Sequence, residues 1–290
     1  MLVASGRVLT KQRFPGVQLS YRVKLPSSNT CRYSIRTNLN FKVNFTNMSQ
    51  IKTETAKANG KHTTWADTTE NIWKPETAVP EHIRKLLVPS GPNHSVNYIL
   101  AFVQIVRLLK TQKRTGWVDR GIPAEKVESI SDHMYRMSII SMFIPNENID
   151  ISKCVKIALV HDIAESLVGD ITPFGGVTKA EKHRRELESI QYLSEIIKPY
   201  NERFSKEILE LWLDYEEIRT IEARYVKDID KYEMIQQAWD YEQDFGLTYD
   251  LSEFYDSRTA IVSKEIGELC DEVIRQRNEH IEALKSKASS

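Results

Sequence analysis

VHDIAESLVGDITP, residues 160–173, places an adjacent His161-Asp162 pair, Glu165 and Asp170 inside one short run. The preceding CVKIALV, 154–160, is apolar and helix-forming, so the pattern predicts a helix from Ser152 to Val168, ended by Gly169. On such a helix Glu165 stands one turn beyond His161 and Asp162, on the same face. An imidazole and two carboxylates converging on one patch offer what a divalent cation needs, a borderline nitrogen and hard oxygens. A capped, partly exposed helix end is the plainer account of His-Asp alone. Four polar residues interrupting a buried run weigh against it, because burying them without partners is costly.

From Asn71 outward the pattern is helical throughout. EHIRKLLV (81–88) reads as a short first helix. SVNYILAFVQIVRLLK (95–110) reads as a strongly apolar helix expected to be buried on most sides. RTGWVDRGIP (114–123) is a Gly/Pro-containing loop, after which Val127, Ile130, Met134, Met137 and Ile140 form one helical stripe. Amphipathic helices are predicted over 179–198 and 202–217, a long helix over 218–244 and a last one over 258–284. The basic run KAEKHRRE (179–186) reads first as a solvated face, with Glu181, Glu186 and Glu188 forming pairs one turn apart, and second as a basic stretch that approaches a phosphate after a loop. With no period-2 strand and no repeat, the expected fold is all-α, a single helical-bundle domain over 67–290.

Residues 1–66 differ. Eight Lys/Arg precede Lys52, no acid occurs before Glu54, and Ser, Thr and Asn are plentiful. That is the profile of a mitochondrial transit peptide over 1–47, followed by a polar linker. A disordered basic extension, or a true start at Met48, are the competing readings. Globally the 290-residue chain has zero formal net charge with 28% charged residues, which gives no ground for a nucleic-acid polymer or a membrane as partner. No apolar run approaches a membrane span. Cys31, Cys154 and Cys270 are widely spaced, which excludes a disulfide framework or zinc knuckle and suits a reducing compartment. The expectation is a soluble intracellular protein, cytoplasmic, or mitochondrial if the transit reading holds.

Two more metal-capable residues lie on apolar faces. His133 sits among Ile130, Met134 and Met137, and taken alone reads as a hydrogen-bonded core histidine. Asp230 adjoins Ile229 and lies one turn from Val226 and Met234, so its carboxylate is aimed at the core and needs a cation to be tolerated there. Asp228 is about 160° away around the helix and is expected to be solvated. His133, His161, Asp162 and Asp230 together make two imidazoles and two carboxylates, a set that binds a divalent ion and leaves positions open for water.

His…His-Asp…Asp on successive helices resembles the HD-domain metal-dependent phosphohydrolases. RTGW, SDHMYRM, ALVHDIAESLVGDITP, EKHRRE and KDIDKYEM, in this order, narrow the resemblance to the eukaryotic HD-domain-containing protein 2 family, itself similar to bacterial 5'-deoxynucleotidases. The match runs from Ile72 to Tyr255. It implies that His133, His161, Asp162 and Asp230 ligate a divalent ion (manganese, cobalt, magnesium or iron), and that Glu165 orients or deprotonates the attacking water. Asp170 would contact the deoxyribose hydroxyl or, with Glu165 and the Ile171 carbonyl, hold a second ion. Arg114 would grip phosphate and Trp117 crowd the sugar; their spacing is two residues longer than in the bacterial pair, which makes Lys113 the substitute candidate. The implied activity is hydrolysis of deoxynucleoside monophosphates to deoxynucleoside and phosphate by a homodimer. A cyclic-nucleotide phosphodiesterase, a triphosphohydrolase and a non-catalytic helical protein tied by its metal are the alternatives.

Overall fold

Five helix starts among the described residues follow capping side chains. In a computed structural model, residues 72–89, 94–173 and 175–288 are described, and the expectations for 1–66 lie outside them. The helices run α1 Pro75–Ala78, α2 Glu81–Arg84, α3 His94–Val106, α4 Thr115–Asp119, α5 Ile130–Met142 and α6 Ile151–Ala158. They continue as α7 Glu165–Val168, α8 Lys179–Ile197, α9 Glu202–Glu217, α10 Ile221–Phe245 and α11 Lys264–Ala288. Ser129 caps α5 in a reciprocal box with Asp132, and Asp150, Thr178, Asn201 and Thr220 each accept a hydrogen bond from an amide in the first turn of α6, α8, α9 and α10. Among the described residues there is no strand; Lys113 and Ser129 form an isolated bridge. The fold is all-α, and no described helix is long and apolar enough to cross a membrane.

α5 packs on α6, α8 on α9 and α10 on α11. Two apolar clusters result. One gathers Met137, Ile140, Ile157, Val226, Ile229 and Trp239 around α10; the other gathers Phe102, Ile105, Val160, Ile163, Ile190, Leu193 and Trp212 around α3, α8 and α9. α5 contributes to both; α6 joins the first with Cys154, Ile157 and Ala158, and the segment after it joins the second with Val160 and Ile163. The His161-Asp162 pair therefore lies where the chain passes from one cluster to the other. Cys154 and Cys270 are free and buried.

Four expectations are corrected. The helix predicted over 152–168 breaks: α6 ends at Ala158, and tight turns span 159–164 before α7. The His161 ring donates from Nδ1 to the Ala158 carbonyl at 2.9 Å, a group that a continuing helix would use, and the backbone tightens to i→i+3 bonds from Ile163 to Val160 and from Glu165 to Asp162. α3 buries only Ala101, Phe102 and Ile105, leaving Val96, Leu100 and Val103 on an exposed face, because just one side meets α8 and the preceding turn. The last helix starts at Lys264, after a 3-10 run over Ser252–Ala260. Asp228 is not solvated but fully buried: its Oδ2 accepts the Val262 and Ser263 amides at 3.1 and 2.7 Å, where the chain enters α11. Helical periodicity cannot register an element that arrives from elsewhere in the chain.

Candidate functional site

The centre of the site is a pair of imidazoles fixed from behind. His133, on α5, donates from Nδ1 to Glu233 Oε2 at 2.5 Å, while His161 Nδ1 is held by the Ala158 carbonyl. Both rings therefore turn Nε2 to the same space, and neither Nε2 has a hydrogen-bond partner although both are buried. Asp162 Oδ2 lies 3.1 Å from His161 Nε2 and 3.8 Å from His133 Nε2. Asp230 Oδ1 lies 3.3 Å from His133 Nε2, and its other oxygen accepts the Tyr215 hydroxyl at 2.8 Å. Tyr215 reaches that oxygen because α9 ends on Ile218 in a left-handed conformation (φ 51°), turning the chain sharply back into α10. Two orphaned imidazole nitrogens facing two carboxylates fit a divalent ion, and carboxylate or carbonyl groups on the far ring nitrogens are the supports such ligands use. The sequence-predicted ligands His133, His161, Asp162 and Asp230 are thus brought together.

The electrostatics follow from this crowding. Burial opposes a charged Asp162, but His161, Arg114 and His133 outweigh it and hold the carboxyl well below its usual range. Burial and the Arg114 guanidinium oppose protonation of His133, yet Glu233 and Asp230 lift the ring to about 10. Glu165, almost fully buried, is pushed well up by burial and by Asp162 and Asp170, with Arg114 and Lys182 pulling the other way. Its Oε2 is also without a partner. A cation among these acids reverses the balance and favours the carboxylates.

Behind His133, Glu233 is clamped by Arg136, whose Nε donates at 2.7 Å, and Arg136 also reaches Asp240 and Gln237 at 2.7 and 2.6 Å. Glu128, pushed up to about 7 by burial and by the neighbouring Glu233 charge, accepts the Trp117 indole N–H at 3.0 Å. Glu128, His133 and Glu233 also cluster closely enough to suggest a cation, but here the facing His133 nitrogen is already bonded and Arg136 supplies the charge. Glu233→Gln is expected to weaken ion binding at the Nε2 side by about 10–100-fold with the helical circular dichroism retained, as measured by calorimetric Mn²⁺ titration.

The wider cavity, about 880 Å³, is lined by His161, Asp162, Glu165, Asp170, Arg114 and Lys182 among others. That volume is ample for a small charged ligand. Arg114 Nη1 points at Asp162 Oδ2 across 3.5 Å. Asp170 reaches the site because Gly169, at φ 79°, swings the chain out of α7; its Oδ2 accepts the Thr115 amide at 2.6 Å, at the start of α4. Trp117 borders the cavity but is 2% exposed, packed against Phe254 and Tyr241, so its role as a wall is shared with the core. Lys113 does not join the site: its ammonium donates to the Val127 carbonyl at 2.6 Å, so it ties down its own loop. The structure adds Tyr215, Glu233 and Lys182, which the sequence reading did not assign to the site. Arg184 and Arg185 pair with Glu181 on the solvated face as expected, but Lys182 turns inward, its ammonium 2.9 Å from the Ile171 carbonyl and 3.7 Å from Glu165. The helical period offered a faint signal, since Lys182 shares its face with Glu186, another residue of the cavity wall.

Comparison with known proteins gives a consistent picture. The HD domain family matches residues 106–270. A curated 5'-deoxynucleotidase of Saccharomyces cerevisiae is 50% identical over 219 residues, spanning 75% of this chain and 99% of that protein. A human 5'-deoxynucleotidase is 40% identical over 198 residues, 68% of this chain and 95% of that protein. The solved structure titled HD domain-containing protein YGK1 aligns with a TM-score of 0.56 at 41% identity, covering 72% of this chain and 99% of that one.

Proposed function

This chain belongs to the HD-domain family, and from that premise we propose that it is a metal-dependent 5'-deoxynucleotidase, a phosphoric monoester hydrolase. It converts a deoxyribonucleoside 5'-monophosphate and water to the deoxynucleoside and phosphate. The observation that carries the chemistry is the pair of buried, unpartnered imidazole nitrogens facing Asp162 and Asp230, beside the buried Glu165. Manganese, cobalt and magnesium all suit the donor set of His133, His161, Asp162 and Asp230. A divalent ion bound there supplies positive charge and Lewis acidity to the phosphate and to water.

The chain's own groups do the rest. Arg114, aimed into the cavity, offers a planar fork of donors to the phosphate oxygens. Glu165, within the same pocket, orients the water and takes its proton as the oxygen bonds to phosphorus and the bond to the sugar 5'-oxygen breaks. That proton is then at hand for the departing alkoxide. Trp117 and Phe254 give the cavity an apolar wall beside Arg114, against which a deoxyribose fits and a 2'-hydroxyl finds no partner. Asp170 lies on the same side and is placed to accept from a sugar hydroxyl, although one of its oxygens already serves the Thr115 amide. A homodimer would cover the outward ridge of Tyr135, Ile139, Met142 and Phe143, which lie along one exposed face of α5 and its end.

The test is phosphate release from dAMP, dGMP, dCMP, TMP and the matching ribonucleotides by metal-stripped protein, with Mn²⁺, Co²⁺ or Mg²⁺ restored singly. Metal-restored release favouring the deoxy series is expected. Silence on monophosphates alongside release from cyclic nucleotides or triphosphates would overturn the proposal.

A further inference from the structure

Asp230 presents its two oxygens to different partners. Oδ1 lies 3.3 Å from the orphaned Nε2 of His133, while Oδ2 accepts the Tyr215 hydroxyl at 2.8 Å. A carboxylate can bind a divalent ion through one oxygen or through both, and the choice changes how many positions are left for water. What holds the second oxygen therefore bears on the chemistry as well as on the packing.

The Tyr215 ring is fixed independently of its hydroxyl. It is buried, its centroid is 4.8 Å from that of the His161 ring, and the Lys227 ammonium lies 3.5 Å from the same centroid. Lys227 is tied in turn to Glu216, the residue after Tyr215, at 3.3 Å. Tyr215, on α9, thus touches one imidazole from the turns after α6 and one carboxylate from α10, both members of the donor set. Its hydroxyl reaches Asp230 already aimed, and a phenol donating to a carboxylate makes a charge-assisted hydrogen bond of the stronger kind. Before Oδ2 can turn to an ion, that bond has to break and leave a buried hydroxyl without this partner, which is costly.

We propose that the Tyr215 hydroxyl restricts Asp230 to a single oxygen toward the ion, which keeps open for water a position that a chelating carboxylate would take. This rests on the metal-dependent reading of the site. With one donor atom each from His133, His161, Asp162 and Asp230, an octahedral ion has room for a water and a phosphate oxygen side by side. Tyr215 is a positioning residue, since it acts through Asp230.

The experiment counts waters on the full chain. Metal-stripped wild type and Tyr215→Phe are titrated with Mn²⁺ by calorimetry, and samples at substoichiometric Mn²⁺ are examined by electron spin-echo envelope modulation in heavy water. Nitrogen modulation from the imidazoles identifies the ion as the one beside His133 and His161. Tyr215→Phe is expected to bind Mn²⁺ at least as tightly as wild type, with about one water fewer on the ion. Its kcat for phosphate release is expected to fall by about 10–100-fold. A merely structural support would do the reverse, weakening the ion and leaving its waters unchanged, and that result would overturn the proposal. An unchanged water count at unchanged affinity overturns it as well. If Tyr215→Phe fails to fold, the wild type decides by itself: single-atom ligation by the four residues leaves about two waters on an octahedral ion, and a smaller number counts against the proposal. A chain that shows these water counts but releases no phosphate upholds the proposal and removes only the nucleotidase activity. A wild type that binds no Mn²⁺ overturns this proposal and the metal-dependent reading together.

Discussion

Glu165→Gln is expected to lower phosphate release by about 10²–10⁴-fold, the range for losing a positioned general base, while metal content and helical circular dichroism stay at wild-type values. The substitution keeps the shape of a buried side chain whose Oε2 has no partner and whose Oε1 faces Lys182. What it removes is the ability to take a proton from water. Glu165 touches neither imidazole, so the two Nε2 atoms and their aspartates keep their geometry. Steady-state kinetics should therefore show the loss in kcat, with KM little changed. Full activity in a correctly metallated Glu165→Gln protein would exclude the residue from the proton transfer. If the wild type releases phosphate and this variant does not, the reading of the ion as a mere tie between helices fails.

Asp162→Asn should strike one step earlier. Asp162 lies within reach of both imidazole Nε2 atoms, 3.1 Å from that of His161 and 3.8 Å from that of His133, and is also the partner of Arg114. Its carboxylate is held charged by His161, Arg114 and His133 against burial, which means that charge is what those groups require of it. An amide supplies a weaker, neutral oxygen and leaves Arg114 without that partner. Ion affinity is expected to fall by more than the roughly 10–100-fold of a change behind the ligands, and phosphate release at limiting Mn²⁺ to background. Calorimetry separates this from Glu165→Gln, which loses rate and keeps the ion. Equal Mn²⁺ affinity in Asp162→Asn and wild type would remove Asp162 from the ligand set.

The residues that converge on the proposed ion position were legible because each combines a titratable group with an apolar neighbourhood at helical spacing, a cost that only pairing relieves. His133 amid Ile130 and Met134, and Asp230 beside Ile229, show that pattern directly, and all five corresponding side chains (with His161, Asp162 and Glu165) converge in the fold. Lys182 was not legible, because a lysine in a run of charges looks the same whether its helix end faces water or a cavity. Which it faces is set by α7 packing on α8. Asp228 was misread for a related reason: its partners, the amides of Val262 and Ser263, are more than thirty positions away in the chain. Lys113 and Arg114 are adjacent and alike in charge, yet the bridge to Ser129 directs one to a carbonyl and the other into the cavity. Periodicity also missed the break after Ala158, since the competing donor there is a side chain, not the backbone.

Three of the acids of the 25-residue α10 have three different attachments. Asp228 anchors the entrance to α11, Asp230 faces the His133 Nε2 at the proposed ion position, and Glu233 holds His133 on α5. Occupancy of the site is therefore coupled through one rigid rod to the packing of its neighbours, and binding and folding become linked equilibria. An ion at a hundredfold its dissociation constant adds about 2.7 kcal/mol to the native state, a large share of the margin on which a domain of this size survives. Metal supply is then expected to set how much folded protein persists as well as how fast each molecule turns over, with a chelator lowering the midpoint of thermal unfolding.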